Sequence, residues 1–301
     1  MSKVRRATHA GSWYTDDGAE LSSQLSGWLA PAKPIQSPAR AIIAPHAGYS
    51  YCGACGGHAY KQIDPTHIKK IPHLEETKLP RIPICTLASS SFSNGLKFSP
   101  AVSGAVKAYR ERNLFQFKNW NHMQTSTNLS HGVSLHLLFK DVRQMLNWRQ
   151  GHFTIIPVLV GSLSVEKEEL YGRIFANYLA DPENLFVISS DFCHWGQRFH
   201  YTYHDQSCGQ IWQSIEALDK MGMDIIESLN PAQFTDYLKQ YHNTICGRYP
   251  IGVLLNAVHT ITKNGNGHKM SFKFVKYAQS SQCKSMRDSS VSYASGALVI
   301  E

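Results

Sequence analysis

The chain has 301 residues, 43% hydrophobic and 17% charged, enough to bury a sizeable core and near the upper size of one compact domain. No apolar run reaches the about 18 residues of a membrane span. Met1-Ser2-Lys3-Val4-Arg5-Arg6 lacks the apolar stretch of a secretory signal, so a cytoplasmic chain is expected, with the nucleus as a further compartment.

The formal charge of +8 raises nucleic acid as a partner. Its distribution argues otherwise: eleven Lys/Arg against four Asp/Glu fall between Lys70 and His152, and the remainder is nearly balanced. No nucleic-acid-binding motif accompanies that excess, so a solvated basic surface is the reading. Seven cysteines without a secretion signal point to reduced thiols rather than a disulfide framework. Cys52-Gly53-Ala54-Cys55 has redox-motif spacing, but small residues opening a helix read first as packing.

In chain order, Leu21, Leu25 and Leu29 give helical spacing over residues 19–29, and Pro31 ends it. Residues 41–44 read as a buried strand, followed by the loop Pro45-His46-Ala47-Gly48 and a Gly/Ala-rich helix. From 69 to 150 the pattern weakens, with Pro72, Pro80, Pro83 and Pro100 breaking short apolar runs. Residues 153–160 read as a buried strand, and 165–179 as an amphipathic helix opened by Ser164. A strand over 184–188 ends in Ser189-Ser190-Asp191. Helices follow over 208–229, 232–241 and 250–258, then strands over 269–277 and 290–300. Alternating strands and helices build a layered α/β sheet.

Ligands of such sheets settle beyond the strand ends. His46 follows one strand, Asp191 and His194 follow another, and Cys246 lies in a loop before a helix. Imidazole, carboxylate and thiolate together suit iron, copper or zinc, although hydrogen-bonded histidines and a buried cysteine explain the same residues. His194 beside Asp191 also reads as an oriented general base, with a structural turn as the alternative. Arg248 near Cys246 would favour the thiolate, with a packed loop cysteine as the alternative reading. Trp13-Tyr14, Tyr49, Tyr51 and Trp195 adjoin these loops and read as walls for a planar ligand or as core. His131 and His136 read as surface or interface histidines.

The chain resembles the Memo proteins. The resemblance rests on His9-Ala10-Gly11-Ser12-Trp13-Tyr14, Ala44-Pro45-His46-Ala47-Gly48-Tyr49, Ser189-Ser190-Asp191-Phe192-Cys193-His194-Trp195-Gly196 and Asn243-Thr244-Ile245-Cys246-Gly247-Arg248. Tyr277-Ala278-Gln279-Ser280-Ser281-Gln282 and Asp288-Ser289-Ser290-Val291-Ser292-Tyr293 extend it, so it covers about residues 5–68 and 153–301. It implies one sheet-centred α/β domain with helices on both faces, similar to the catalytic subunits of LigB-type extradiol dioxygenases. It further implies a signalling protein that links activated receptor tyrosine kinases to cell motility. Its partners would be a phosphotyrosine-bearing receptor tail or adaptor and cytoskeletal regulators.

By motif position, Trp13, His46, Tyr51, Asp191, His194 and Cys246 would line the ligand cleft. His46 and Cys246 would be two of three ligands to iron or copper. If the protein is an oxidoreductase, Asp191 and His194 would be catalytic. Residues 69–152 do not follow the family pattern, and the Gly-Pro-Ser-His-His loop that carries the third metal ligand is replaced by a stretch containing His73. An alternative exon or a misassembled gene model would leave such a segment. Its expected consequences are a sheet without a normal second strand and a weaker metal site.

Overall fold

The computed structural model describes residues 9–76, 84–86, 154–265 and 267–301. His131, His136 and most of the segment 69–152 lie outside them. The helices are α1 (Gly18–Leu29), α2 (Tyr49–Tyr60), α3 (Val165–Ala180), α4 (Ile211–Glu227), α5 (Pro231–Tyr241) and α6 (Arg248–Lys263). The strands are β1 (Ala41–Ala44), β2 (Lys70–Glu76), β3 (Ile84–Thr86), β4 (Thr154–Val160), β5 (Phe186–Ser189), β6 (His194–Trp195), β7 (Met270–Gln279) and β8 (Ser290–Ile300).

These strands form one sheet in the order β3-β4-β2-β5-β1-β8-β6, with β7 also on β8. Its centre, β4-β2-β5-β1, is parallel, and β3, β6, β7 and β8 join antiparallel. Side chains alternate between the two faces of a strand. Ile43, Leu74, Val158, Phe186 and Ile188 therefore point into the large core shared with α3, α4, α5 and α6. Ala44, His73, Val187 and Ser189 face the other way, toward Leu25 and Trp28 of α1 and Cys52 of α2. Helices on both faces of a central sheet make this the expected α/β architecture.

Local chemistry explains the element ends. Asp17 caps α1 by accepting from Ala19 and Glu20 amides at 2.8 and 2.7 Å. A Cβ on Gly57 of α2 would lie 2.7 Å from the Trp28 carbonyl oxygen, so glycine lets α1 and α2 pack closely. Helix α6 begins at Arg248 rather than Pro250 and runs to Lys263. Proline is tolerated in a first turn because amides there need no intrahelical acceptor, so Pro250 does not mark the start.

The expected loss of a normal second strand does not hold. β2 lies between β4 and β5, paired with both in parallel. Pro72 removes one ladder donor and obscured the strand, but the buried Ile71 and Leu74 supply the apolar positions of a central strand.

Candidate metal centre

The parallel pairing of β1 with β5 sets Ala44 against Ser189, so the chain leaves both strands side by side. The two exits carry His46 and Asp191. The His46 amide donates to Asp191 Oδ1 at 2.8 Å, and His46 Nε2 lies 3.9 Å from Asp191 Oδ2. His46 Nδ1 is 2.6 Å from Ser189 Oγ. This leaves Nε2 facing the Cys246 Sγ, 3.1 Å away.

The loop before α6 is pinned to the same strand end. The Cys246 amide donates to the Asp191 carbonyl at 3.2 Å, and the Asp191 amide donates to Cys246 Sγ at 3.0 Å. The Gly247 amide donates to Ser190 Oγ at 3.0 Å. A Cβ at Gly247 would meet Ser190 Cβ at 2.4 Å, so only glycine permits this approach. One donor atom from each of His46, Asp191 and Cys246 falls within 4.8 Å of the others.

Burial sets the protonation of this cluster. It pushes His46 down to about 4, so the imidazole is neutral. It raises Asp191 to about 6, against the opposing charge of His194 and the amides of His46 and Ala47. It also pushes the Cys246 thiol well up, assisted by the Asp191 charge. The expected Arg248 effect on the thiol is therefore overturned: desolvation dominates. Arg248 interacts electrostatically with Glu168 and has its guanidinium carbon 5.3 Å from the Tyr249 ring centre.

His194 stands beside the cluster, with its pKa lowered by burial and partly restored by Asp191. Its Nδ1 is 2.9 Å from the Phe192 carbonyl and 3.2 Å from the Thr244 carbonyl. Carbonyl oxygens only accept, so Nδ1 carries the hydrogen and Nε2 keeps its lone pair. Those carbonyls, rather than the expected Asp191 carboxylate, fix the tautomer. Thr244 Oγ1 accepts from the His194 amide at 2.7 Å, tying the two loops together.

Of the aromatic candidates, Trp13 and Tyr51 flank Gly48: a Cβ there would meet the Trp13 carbonyl oxygen at 3.5 Å and Tyr51 Cδ2 at 3.8 Å. Tyr51 is 65% exposed. Tyr14, Tyr49 and Trp195 are buried and belong to the core, not to a cleft wall. Cys52 and Cys55 are buried, as packing predicts.

Sequence reading missed two supports. Ser189 holds His46. Asp219, wholly buried on α4, accepts from the Cys193 amide at 3.2 Å and Asn243 Nδ2 at 3.0 Å through Oδ1, and from the Tyr277 hydroxyl at 2.9 Å through Oδ2. It thus bridges the Asp191 and Cys246 loops, and its signal was an acid four residues after Ile215 on the buried stripe of α4. His73, on β2, is buried and lines a gap beneath His46.

These features define an α/β protein with a histidine, aspartate and cysteine centre at the strand ends of its sheet. The family model "Memo-like protein" matches residues 5–74 and 105–297, and the chain belongs to that family. The match takes in 69–74 and 105–152, stretches expected from the sequence to depart from the family pattern, and stops short only of 75–104 between its two segments. "Protein MEMO1" of Xenopus laevis is 52% identical over 300 residues, covering 99% of this chain and 98% of that one. "Protein MEMO1" of Homo sapiens is 51% identical over 297 residues, covering 98% and 97%. "Protein memo-1 homolog" of Caenorhabditis elegans is 40% identical over 300 residues, covering 99% and 83%. The solved structure of uncharacterized protein JW3007 from Escherichia coli K12 is similar with a TM-score of 0.48 at 13% identity, over 84% of this chain and 98% of that chain.

Among the described residues, no helix is long and apolar enough to cross a membrane.

Proposed function

We propose that the chain binds a transition-metal ion at the strand ends, with His46 Nε2, the Asp191 carboxylate and Cys246 Sγ as donors. The observation that carries this reading is the convergence of the three donor atoms within 4.8 Å. Donors on one ion are separated by roughly one and a half metal–ligand bond lengths, which at about 2.0–2.3 Å per bond fits such spacing. The mixed nitrogen, oxygen and sulfur set suits iron, copper or zinc. Bound there, an iron or copper ion would supply redox chemistry, and His194, with its Nε2 lone pair, would accept or return a proton beside it.

The test is cobalt(II) titration of the full chain, with metal content measured on the purified protein. One equivalent with a thiolate-to-cobalt charge-transfer band is expected, and the band disappears in Cys246→Ser. Absence of stoichiometric binding, or binding indifferent to both Cys246→Ser and His46→Ala, defeats the reading.

A second reading, a phosphotyrosine-type ligand over the same cleft, is favoured by its rim. Arg198 sits 4.4 Å from the Phe199 ring centre, and Phe199 meets His194 edge-on at 5.2 Å between ring centres. An exposed guanidinium held on an aromatic ring can pair with a phosphoryl group, while Trp13 and Tyr51 offer aromatic surface. In this role the chain would connect a phosphorylated receptor tail or adaptor to cytoskeletal regulators. Calorimetric titration with a phosphotyrosyl peptide and its unphosphorylated form tests it, and equal binding of both removes it.

A further inference from the structure

The 2.6 Å contact between Ser189 Oγ and His46 Nδ1 contains a single proton, and its direction decides what His46 can do. If Nδ1–H donates to the hydroxyl, Nε2 keeps the lone pair that a cation needs. If the hydroxyl donates to Nδ1, Nε2 carries the hydrogen and cannot ligate. A serine that accepts from His46 must send its own proton elsewhere.

β2 offers an acceptor. His73 pairs in register with Val187, two residues before Ser189, and Glu75 pairs with Ser189 itself. His73 therefore lies diagonally from Ser189 on the same sheet face, one strand over and two residues along, roughly 8 Å between backbones. His73 is 2% exposed, and its Nδ1 has no hydrogen-bond partner among the described residues. His73, Ser189 and His46 line one gap of about 30 Å³. A water needs about 10–15 Å³ and at least two polar partners.

We propose that His73 is a positioning residue for the cluster: with one water in the gap, it draws the Ser189 proton toward β2 and holds His46 in the Nδ1–H tautomer. The purpose of this relay rests on the metal-binding reading, but its direction can be measured without metal. Ser189 Oγ–H donates to the water, the water donates to His73 Nδ1, and His46 Nδ1–H donates to Ser189 Oγ. His73 thereby carries its own hydrogen on Nε2.

The experiment is two-bond nitrogen–proton correlation NMR on the full chain, metal-free, with ¹⁵N in the histidine rings. The expected result is His46 as Nδ1–H and His73 as Nε2–H. Either histidine in the opposite tautomer overturns the proposal, and this readout needs no variant. His73→Phe is expected to mix the His46 tautomers and weaken cobalt(II) binding about 10- to 100-fold, the usual cost of losing an outer-shell partner. His73→Gln, which restores an acceptor, recovers much of that loss. An unchanged His46 tautomer in His73→Phe sinks the relay. Failure of the wild-type chain to bind cobalt(II) sinks the metal reading instead, and leaves the tautomer result to decide this one.

Discussion

Cys246 Sγ lies 3.1 Å from His46 Nε2, joining side chains 200 positions apart through two loops anchored on Asp191. Groups in direct contact do not contribute independently. His46→Ala and Cys246→Ala should each weaken cobalt(II) binding by at least about 100-fold, beyond the usual cost of an outer-shell loss. The double variant should lose far less than the product of the two. Titrations of all four proteins check this, and full additivity would mean that the two side chains do not share an ion.

Metal binding should release protons. The Cys246 thiol is pushed well up and Asp191 is raised to about 6, whereas His46, at about 4, is already neutral. An ion therefore displaces one proton, from sulfur, above about pH 6 and close to two below it. The logarithm of cobalt(II) affinity should rise by about one per pH unit above that point and more steeply below. A flat pH profile would contradict a protonated thiol.

Buried neutral histidines make the metal-free fold acid-sensitive. His46 and His73 are lowered to about 4 and about 3 from an ordinary value near 6.5. Their contribution is complete above pH 6.5 and is lost as pH falls through the folded values. Asp191 and Asp219, both raised to about 6, act oppositely: their contribution is present below their ordinary value near 3.8 and is lost as pH rises through 6. His73→Phe should flatten the acid limb, by on the order of 2 kcal/mol between pH 7 and 4.5. Urea unfolding with a chelator present measures it, and parallel pH profiles would show that His73 is not neutral in the fold.

Gly247→Ala places a methyl group 2.4 Å from Ser190 Cβ. The Cys246 loop must then move off β5, which costs about 1–3 kcal/mol of stability. Cobalt(II) affinity should fall about 10-fold or more, because ligand placement is lost as well. Thermal melts and titrations together check this, and a variant that loses stability but keeps full affinity would show that the loop position is unimportant to binding.

Asp219→Ala removes the acceptor of the Cys193 amide, the Asn243 amide group and the Tyr277 hydroxyl. Leaving buried donors unpaired should cost about 3–5 kcal/mol. Chemical denaturation reads the loss directly. A loss under about 1 kcal/mol would mean that Asp219 does not join the two loops.

Much of this arrangement was legible in the residues. Periodicity revealed α1, β1 and α3, and the rule that ligands sit beyond strand ends singled out His46, Asp191 and Cys246. It failed where tertiary context overrides local signals. Pro72 broke the apolar run of β2, yet neighbours on both sides hold that strand. Arg248 lies two residues from the thiol in sequence, but its electrostatic partner is Glu168 on α3. Asp219 could not be assigned because its partners arrive from β7 and two loops. Ring orientation was equally invisible: Trp195 adjoins His194 in the chain, yet its indole nitrogen donates to the Tyr203 carbonyl within the core.

β8, the last of the described strands in chain order, lies directly against β1, the first. During synthesis, the strand that leads into His46 therefore has one flank uncovered until residues 296–298 leave the ribosome. Cys246 itself emerges only after Asp191 and His194. A nascent chain stalled before Thr244 presents the His46 imidazole and the Asp191 carboxylate but not the Cys246 sulfur, so the donor set stays incomplete until the loop ahead of α6 has been made.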